Sequence, residues 1–221
     1  MVTKSLTGTL VIAAAALAAL MAHGTALSAV LAALSGPGGA SLSDGSMADA
    51  ATGLVFPATQ KFRVGGGLSL LGVGIRKKAV INVYSVGFYG SKAVARAVEG
   101  RSGKKACGAA ISAKGPKAVQ LTFVMGVGAA KMADALSNVD GVSQETKDAF
   151  GDMIITGMGG KMLKGETMTI EWKGSDVVVV TARGKLIGEM KDRDLHRGLL
   201  DIYLGPKSVS PSLKASIGEN A

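Results

Sequence analysis

The sequence predicts an α+β domain with an antiparallel sheet. Three observations lead there. Segments rich in Val, Ile, Thr and aromatic residues come in hairpin-like pairs, as at 167–172 and 176–181. Helical patterns gather between and after these pairs instead of alternating with single strands, which argues against a doubly wound parallel sheet. The first fifty residues differ sharply in composition from the rest, so the sheet and helices belong to the region after them.

In chain order, residues 6–35 form an Ala/Leu-rich run without Lys, Arg, Asp or Glu, and Lys4 supplies a minimal positive start. The run reads as the apolar region of a targeting sequence, and it is also long enough to span a bilayer. Residues 1–34 are therefore expected to be a signal or targeting segment or a membrane anchor, with membrane contact through 6–35. The Ser/Ala-rich, acid-poor start suits delivery to a plastid as well as to the secretory route. Residues 35–50, SGPGGASLSDGSMADA, have linker composition. The folded body is expected over 51–221, and a chain beginning at Ala51 is expected to fold.

Gly53 to Val64 reads as a strand, and Gly65-Gly66-Gly67 as the turn that follows. From Leu68 the chain runs through Gly72-Val73-Gly74 to three cations, Arg76-Lys77-Lys78. A β-rich segment, Ala79 to Tyr89, comes next. Alternation puts Arg76, Lys78, Val80, Asn82, Tyr84, Val86 and Phe88 on one face, and Ile81, Val83, Ser85, Gly87 and Tyr89 on the other. Both faces are apolar towards the end, which predicts a strand covered on both sides. Two readings of the cations fit the residues equally. One is a pocket for an acidic, greasy ligand, with a phenol and an amide further along the strand. The other is a glycine hairpin followed by a solvated charge run.

Ser91 to Glu99 is short, Ala-rich and helical in pattern, whereas Gly100 to Gly108 is basic and loop-like. Lys117 to Met125 alternates as a strand. Ala129 to Leu136 and Ser143 to Ile155 have helical spacing, and Ser143 is a natural start for the second. Gly157 to Gly165 is a glycine-rich loop. Strands over 167–172, 176–181 and 185–190 meet at short turns, an amphipathic helix covers 192–203, and Pro211 opens a last helix.

The formal charge is +9, and the body after residue 50 carries +10. Aromatic content is 4%, and no basic run is interleaved with aromatics, which disfavours nucleic acid as a partner. Cys107 is the only cysteine, so neither an intrachain disulfide nor a multi-cysteine metal site can form. The glycine-rich stretches fail as phosphate loops: 157–162 lacks the earlier glycine and the Ser/Thr, and Gly72-Val73-Gly74 leads into a strand where a dinucleotide fingerprint opens a helix. His196 has no nucleophile near it in sequence. The Met-rich 153–168 region reads as core filler. No cofactor and no metal are expected, and the oligomeric state is not legible.

Two separated stretches resemble the chalcone isomerase family in its broad sense, which includes non-catalytic fatty-acid-binding relatives. One is the glycine-x-arginine approach with the VYSVGFY strand. The other is 184–211, GKLIGEMKDRDLHRGLLDIYLGPKSVSP, with LTFVMGVGAAKMADAL at 121–136 as a looser match between them. The likeness covers roughly 53–217. It implies a large antiparallel sheet with a layer of helices, the chalcone-isomerase fold. Arg76 matches the arginine that holds the ligand's oxyanion in catalytic members. Tyr84 falls where the plant enzymes carry threonine, and a phenol there resembles the fatty-acid-binding relatives. Lys131 or Met132, depending on register, falls at the catalytic tyrosine, and Asn138 matches the asparagine. Ile202 and Tyr203 fall at a small hydroxyl and apolar pair near the ligand. The resemblance thus implies a binder of fatty acid or another apolar carboxylate at Arg76, Tyr84, Asn138, Ile202 and Tyr203. A chalcone-flavanone isomerase and a ligand-free scaffold are the alternatives. Eight residues of straight strand span about 26 Å. Arg76 and Tyr84 can share one head group only if the chain turns or bulges between them, with Lys77-Lys78 as the expected place.

Overall fold

The computed structural model describes residues 39–218; the expected leader at 1–34 lies outside them. The centre is a seven-stranded antiparallel sheet in the order β12-β11-β10-β7-β6-β5-β4. Its strands are β4 (Thr59–Phe62), β5 (Gly66–Lys78), β6 (Ile81–Gly90), β7 (Lys117–Phe123), β10 (Thr167–Lys173), β11 (Val177–Ala182) and β12 (Lys185–Lys191). Two small ladders accompany it. One joins β1 (Ala40–Ser41), β2 (Met47–Ala48) and β3 (Val55–Phe56); the other pairs β8 (Val127–Gly128) with β9 (Lys161–Met162).

One face of the sheet is covered by helices: α1 (Lys92–Val98), α2 (Gly103–Ser112), α3 (Ala129–Ser137), α4 (Gln144–Met158), α5 (Arg193–Leu204) and α6 (Pro211–Ser216). The main core lies between them and the sheet, with Tyr84, Val86 and Phe88 from β6 meeting Leu136, Phe150 and Leu199. Met158, Met162 and Met168 are buried in this core, as expected of filler. α5 shows why its sequence is helical. Asp192 caps it by accepting from the Leu195 N–H at 2.8 Å, and Leu195, Leu199 and Tyr203 recur every fourth residue on the buried side.

The other face carries its own cluster, in which Tyr89 packs with Phe56, Phe62 and Val73. The alternation holds over 84–89, where the strand is covered on both sides; it fails at Val80, which is in a turn, and at Val83, which packs against the main core with Tyr84. The sheet curls around this cluster. The Gln60 side chain of β4 bonds that of Gln120 on β7, three strands away in sheet order, and the Val64 N–H reaches the Glu171 carboxylate on β10 at 3.1 Å. A flat sheet would hold β4 and β7 about 14 Å apart.

Four sequence expectations change. Gly53 to Val64 is two strands in different sheets, β3 paired with β2 and β4 with β5, and Pro57 lies between them. The strand expected from Ala79 is the second arm of a hairpin whose first arm, β5, begins at Gly66. Residues 103–112 are helix α2 and not loop; Ala106, Cys107 and Ala110 recur on one side and are buried, which overrides the glycines flanking them. The fourth change concerns 39–50, within the stretch read as linker. Met47 and Ala48 are buried against the sheet's second face. Asp49 is 2% exposed; its carboxylate accepts from the Ser85 hydroxyl at 2.7 Å and the Thr52 hydroxyl at 2.6 Å. A lone acid in a Gly/Ser-rich stretch gives no sign of this, because its partners lie across the fold.

Cutting the chain to begin at Ala51 removes Met47 and the Asp49 carboxylate. The loss of one buried apolar side chain and two buried hydrogen bonds is worth about 3 kcal/mol. Thermal unfolding of chains beginning at Gly39 and at Ala51 should differ by roughly 6–12 °C; coincident transitions would show that the segment contributes nothing.

Candidate functional site

The site is built from the β5–β6 hairpin. Lys78 pairs with Ile81, leaving Ala79 and Val80 as the turn, with Ala79 at φ 52°. Between Arg76 and Lys77 the register shifts, so that Lys77 pairs with Asn82 but Arg76 pairs with Tyr84. Val83 is the extra residue of a bulge. Without it Arg76 would face Val83; with it Arg76 and Tyr84 stand side by side on the helix-covered face. The chain between them thus folds back on itself: the register shifts at Arg76–Lys77, one residue before the expected Lys77-Lys78, and the turn follows at Ala79-Val80.

The same face of β5 carries Gly72 and Gly74 before Arg76. A Cβ on Gly74 would overlap the Leu213 backbone nitrogen and lie 2.6 Å from the Leu213 Cα, so only glycine lets α6 lie directly on the strand. β4 pairs only with the first part of β5 and leaves its outer edge open beyond Ser69. Hydroxyls of α6 close that edge. Ser216 Oγ accepts from the Val73 N–H at 2.7 Å and donates to the Val73 carbonyl at 2.8 Å, and Ser212 Oγ accepts from the Ile75 N–H at 3.0 Å. These serines were not singled out in the sequence, and only the glycine pair upstream hints that something sits there.

At the end of this trench the half-buried Arg76 guanidinium donates to the Tyr84 hydroxyl at 3.3 Å and lies 5.6 Å from the centre of its ring. Tyr84 Oη is in turn 3.3 Å from Tyr203 Oη of α5. Both phenols are 0% exposed. Phe123 braces Tyr84 edge-on, with ring centres 5.6 Å apart. Burial opposes the charge of Arg76, but the hydroxyls of Tyr84 and Tyr203 more than offset it, and its pKa rises. Burial, with Tyr84 beside it, pushes the Tyr203 phenol well above its ordinary range, against the pull of Arg76. The cluster is thus one fixed cation with two hydroxyls, one of them held neutral. Among the described residues no carboxylate forms an ion pair with Arg76.

Arg76, Asn138 and Ile202 line one cleft of about 610 Å³ between the end of α3, α5 and the loop after α5. Tyr84 and Tyr203 lie buried beneath Arg76. All five sequence-derived positions therefore come together, Asn138 as the exposed C-cap of α3 and Ile202 half-buried. Val139 and Val209 add apolar wall. Asp134, Asp140 and Asp201 also line the cleft, and Asp201 is tied to Arg197 at 3.0 Å. The cleft's cations are Arg76 and Lys207, and of the two Arg76 is the one joined to the buried phenols. Met132 is in the core and Lys131 is exposed, so neither register brings a phenol from α3 to this cluster. Among the described residues no group of His, Cys, Asp and Glu is placed to hold a metal ion.

The family model described as chalcone isomerase-like matches residues 48–217. Among solved structures, the chain is similar to a fatty-acid binding protein of Arabidopsis thaliana, with a TM-score of 0.65 and 22% sequence identity over 79% of this chain and 96% of that one. At that identity the likeness speaks for the fold. No curated protein matches the chain.

Proposed function

The chain belongs to the chalcone isomerase-like family, and from that premise we propose that it binds a fatty acid or a similar apolar carboxylate without transforming it. The observation that carries the reading is the half-buried Arg76 in contact with the Tyr84 hydroxyl and, among the described residues, in no ion pair with a carboxylate. A guanidinium presents a planar fork that fits a carboxylate in two parallel hydrogen bonds. Arg76 spends one N–H on Tyr84, which frees the Tyr84 or Tyr203 proton to donate to the same head group. The acyl chain lies along Val139, Ile202 and Val209, and each buried CH₂ contributes roughly 0.8 kcal/mol. That the solved structure of similar fold is named a fatty-acid binding protein supports this reading.

Turnover of a chalcone needs a proton path poised beside the developing oxyanion. The α3 position that the family resemblance assigns to the catalytic tyrosine is Met132 or Lys131 here, and Tyr203 is held neutral by burial. The full chain is accordingly expected to cyclise a 2′-hydroxychalcone no faster than buffer does, while native mass spectrometry of the purified protein shows a co-purified fatty acid. Arg76-dependent cyclisation above the spontaneous rate would make the protein an isomerase. Delivery by residues 1–34 to a plastid or the secretory route belongs to the same proposal, and a fluorescent protein fused behind those residues tests it.

A further inference from the structure

Strand directions bring four turns to one end of the sheet. β5 ends and β6 begins there, across residues 77–81. β7 ends there, leading into 124–126. β10 begins there after 161–166, and β11 passes to β12 there through 183–186. Two cross-links confirm the alignment: the Phe123 N–H donates to the Glu166 carbonyl at 3.0 Å, and the Arg183 N–H to the Thr167 carbonyl at 2.8 Å.

This end is unusual in what it exposes. Val80 is 93% exposed, and Ile81, Met125, Leu163 and Leu186 also stand in solvent; together they are five of the seven large apolar side chains so exposed among the described residues. Cations surround them. The four turns contain Lys77, Lys78, Lys161, Lys164, Arg183 and Lys185 against a single carboxylate, Glu166, which Arg183 neutralises at 2.9 Å. None of the five lysines is in an ion pair among the described residues. The opposite end has exposed lysines too, at Lys92, Lys114 and Lys173, but no exposed large apolar residue, and Lys191 there pairs with Asp176 at 3.7 Å. Basic charge alone therefore does not distinguish the ends; its coincidence with protruding apolar side chains does.

We infer that this end of the sheet is a docking edge for an anionic lipid surface, with Val80, Ile81, Met125, Leu163 and Leu186 entering the headgroup layer and the unpaired lysines meeting lipid phosphates. Apolar side chains ringed by lysines suit such an interface better than an acidic protein face, because burial of the first and charge pairing of the second are satisfied at different depths of one layer. The edge spans six adjacent strands, about 24 Å, enough for several headgroups at once. Among the described residues no helix is long and apolar enough to cross a membrane, so the contact is peripheral for this part of the chain. The inference does not rest on the acyl-binding reading. Were both to hold, Arg76 would stand two strand residues, about 7 Å, behind the turn that carries Val80.

The test uses the full chain. Val80→Cys carries a polarity-sensitive fluorophore, and Ser175→Cys, in the turn at the opposite end, carries the same label in a second protein. Cys107, the native cysteine, is 1% exposed and does not compete for label. With vesicles of equal parts phosphatidylglycerol and phosphatidylcholine, the label at 80 is expected to brighten and shift to the blue. The label at 175 should not change, and phosphatidylcholine alone should give a weaker response at 80. Lys164→Gln with Lys185→Gln should lower partition about 25-fold, at about fivefold for each lysine lost near the surface. Lys92→Gln with Lys173→Gln should leave it within about twofold. Vesicle binding that leaves the label at 80 unchanged would overturn the inference, because another part of the chain would then hold the membrane. So would equal responses at 80 and 175, equal losses from the two lysine pairs, or no vesicle binding at all.

Discussion

Replacing Arg76 with alanine should weaken fatty-acid binding by about 2–5 kcal/mol, because it leaves a desolvated carboxylate unpaired. At 1.4 kcal/mol per tenfold this is roughly 30- to several-thousand-fold in Kd. Lys77→Ala and Lys78→Ala should each weaken binding only slightly, because both side chains are exposed beyond the bulge while Arg76 alone turns to the phenols. Their small effects should fade with salt, as screening acts over about 8 Å at physiological ionic strength. Tyr84→Phe should lie between, at about 0.5–1.5 kcal/mol, because it removes one donor and keeps the ring. That substitution also strips the only side-chain partner that the buried Tyr203 hydroxyl has among the described residues, so the ligand-free protein should lose about 1–3 kcal/mol of stability. Titration of the four variants at two salt concentrations separates the outcomes. Equal, salt-sensitive losses at all three cations would mean a diffuse field and no clamp.

Gly74→Val is expected to be among the most destabilising single changes in the domain. The new side chain meets the Leu213 backbone, which cannot rotate away as a side-chain tip can. Relief requires α6 to lift, and the Ser212 and Ser216 hydroxyls would then leave the N–H groups of Ile75 and Val73 without partners. Overpacking and two orphaned donors together cost about 3–5 kcal/mol. Gly108→Ala is the contrasting change. Position 108 lies within α2 with open space around it, so alanine should stabilise by about 0.5–1 kcal/mol through helix propensity. Denaturant midpoints that moved alike for the two variants would contradict this account of the trench under α6.

Much of the sheet was legible because its strands alternate and its turns are marked. Thr167 to Met190 carries Gly174 and Gly184 at its turns, and the three strands fall where the pattern puts them. The β5–β6 turn carries no such mark. Ala79 takes the left-handed conformation without being Gly or Asn, so the hairpin hides inside what reads as one approach and one strand. That hidden turn decides the site, since pairing Arg76 with Tyr84 depends on the turn together with one extra residue at Val83. Helix α2 is not legible locally, because its glycines and lysines are loop-like in composition and the burial of Ala106 and Ala110 comes only with the fold. Asp49, Ser212 and Ser216 act through partners more than thirty residues away, which no local pattern records. Tyr203 came from family resemblance alone; its position on α5 is ordinary for a buried aromatic until its hydroxyl meets that of Tyr84.

The central claim is that Arg76, with the hydroxyls of Tyr84 and Tyr203, holds a carboxylate. Its most direct test is calorimetric titration of one fatty acid and its methyl ester against the wild-type chain and Arg76→Ala. The ester keeps the acyl chain and loses the charge. Wild type should prefer the acid by at least about 2 kcal/mol, roughly 30-fold, and Arg76→Ala should bind acid and ester within about threefold of each other. An acid preference that survives unchanged in Arg76→Ala, or wild type binding both ligands equally, would contradict the claim.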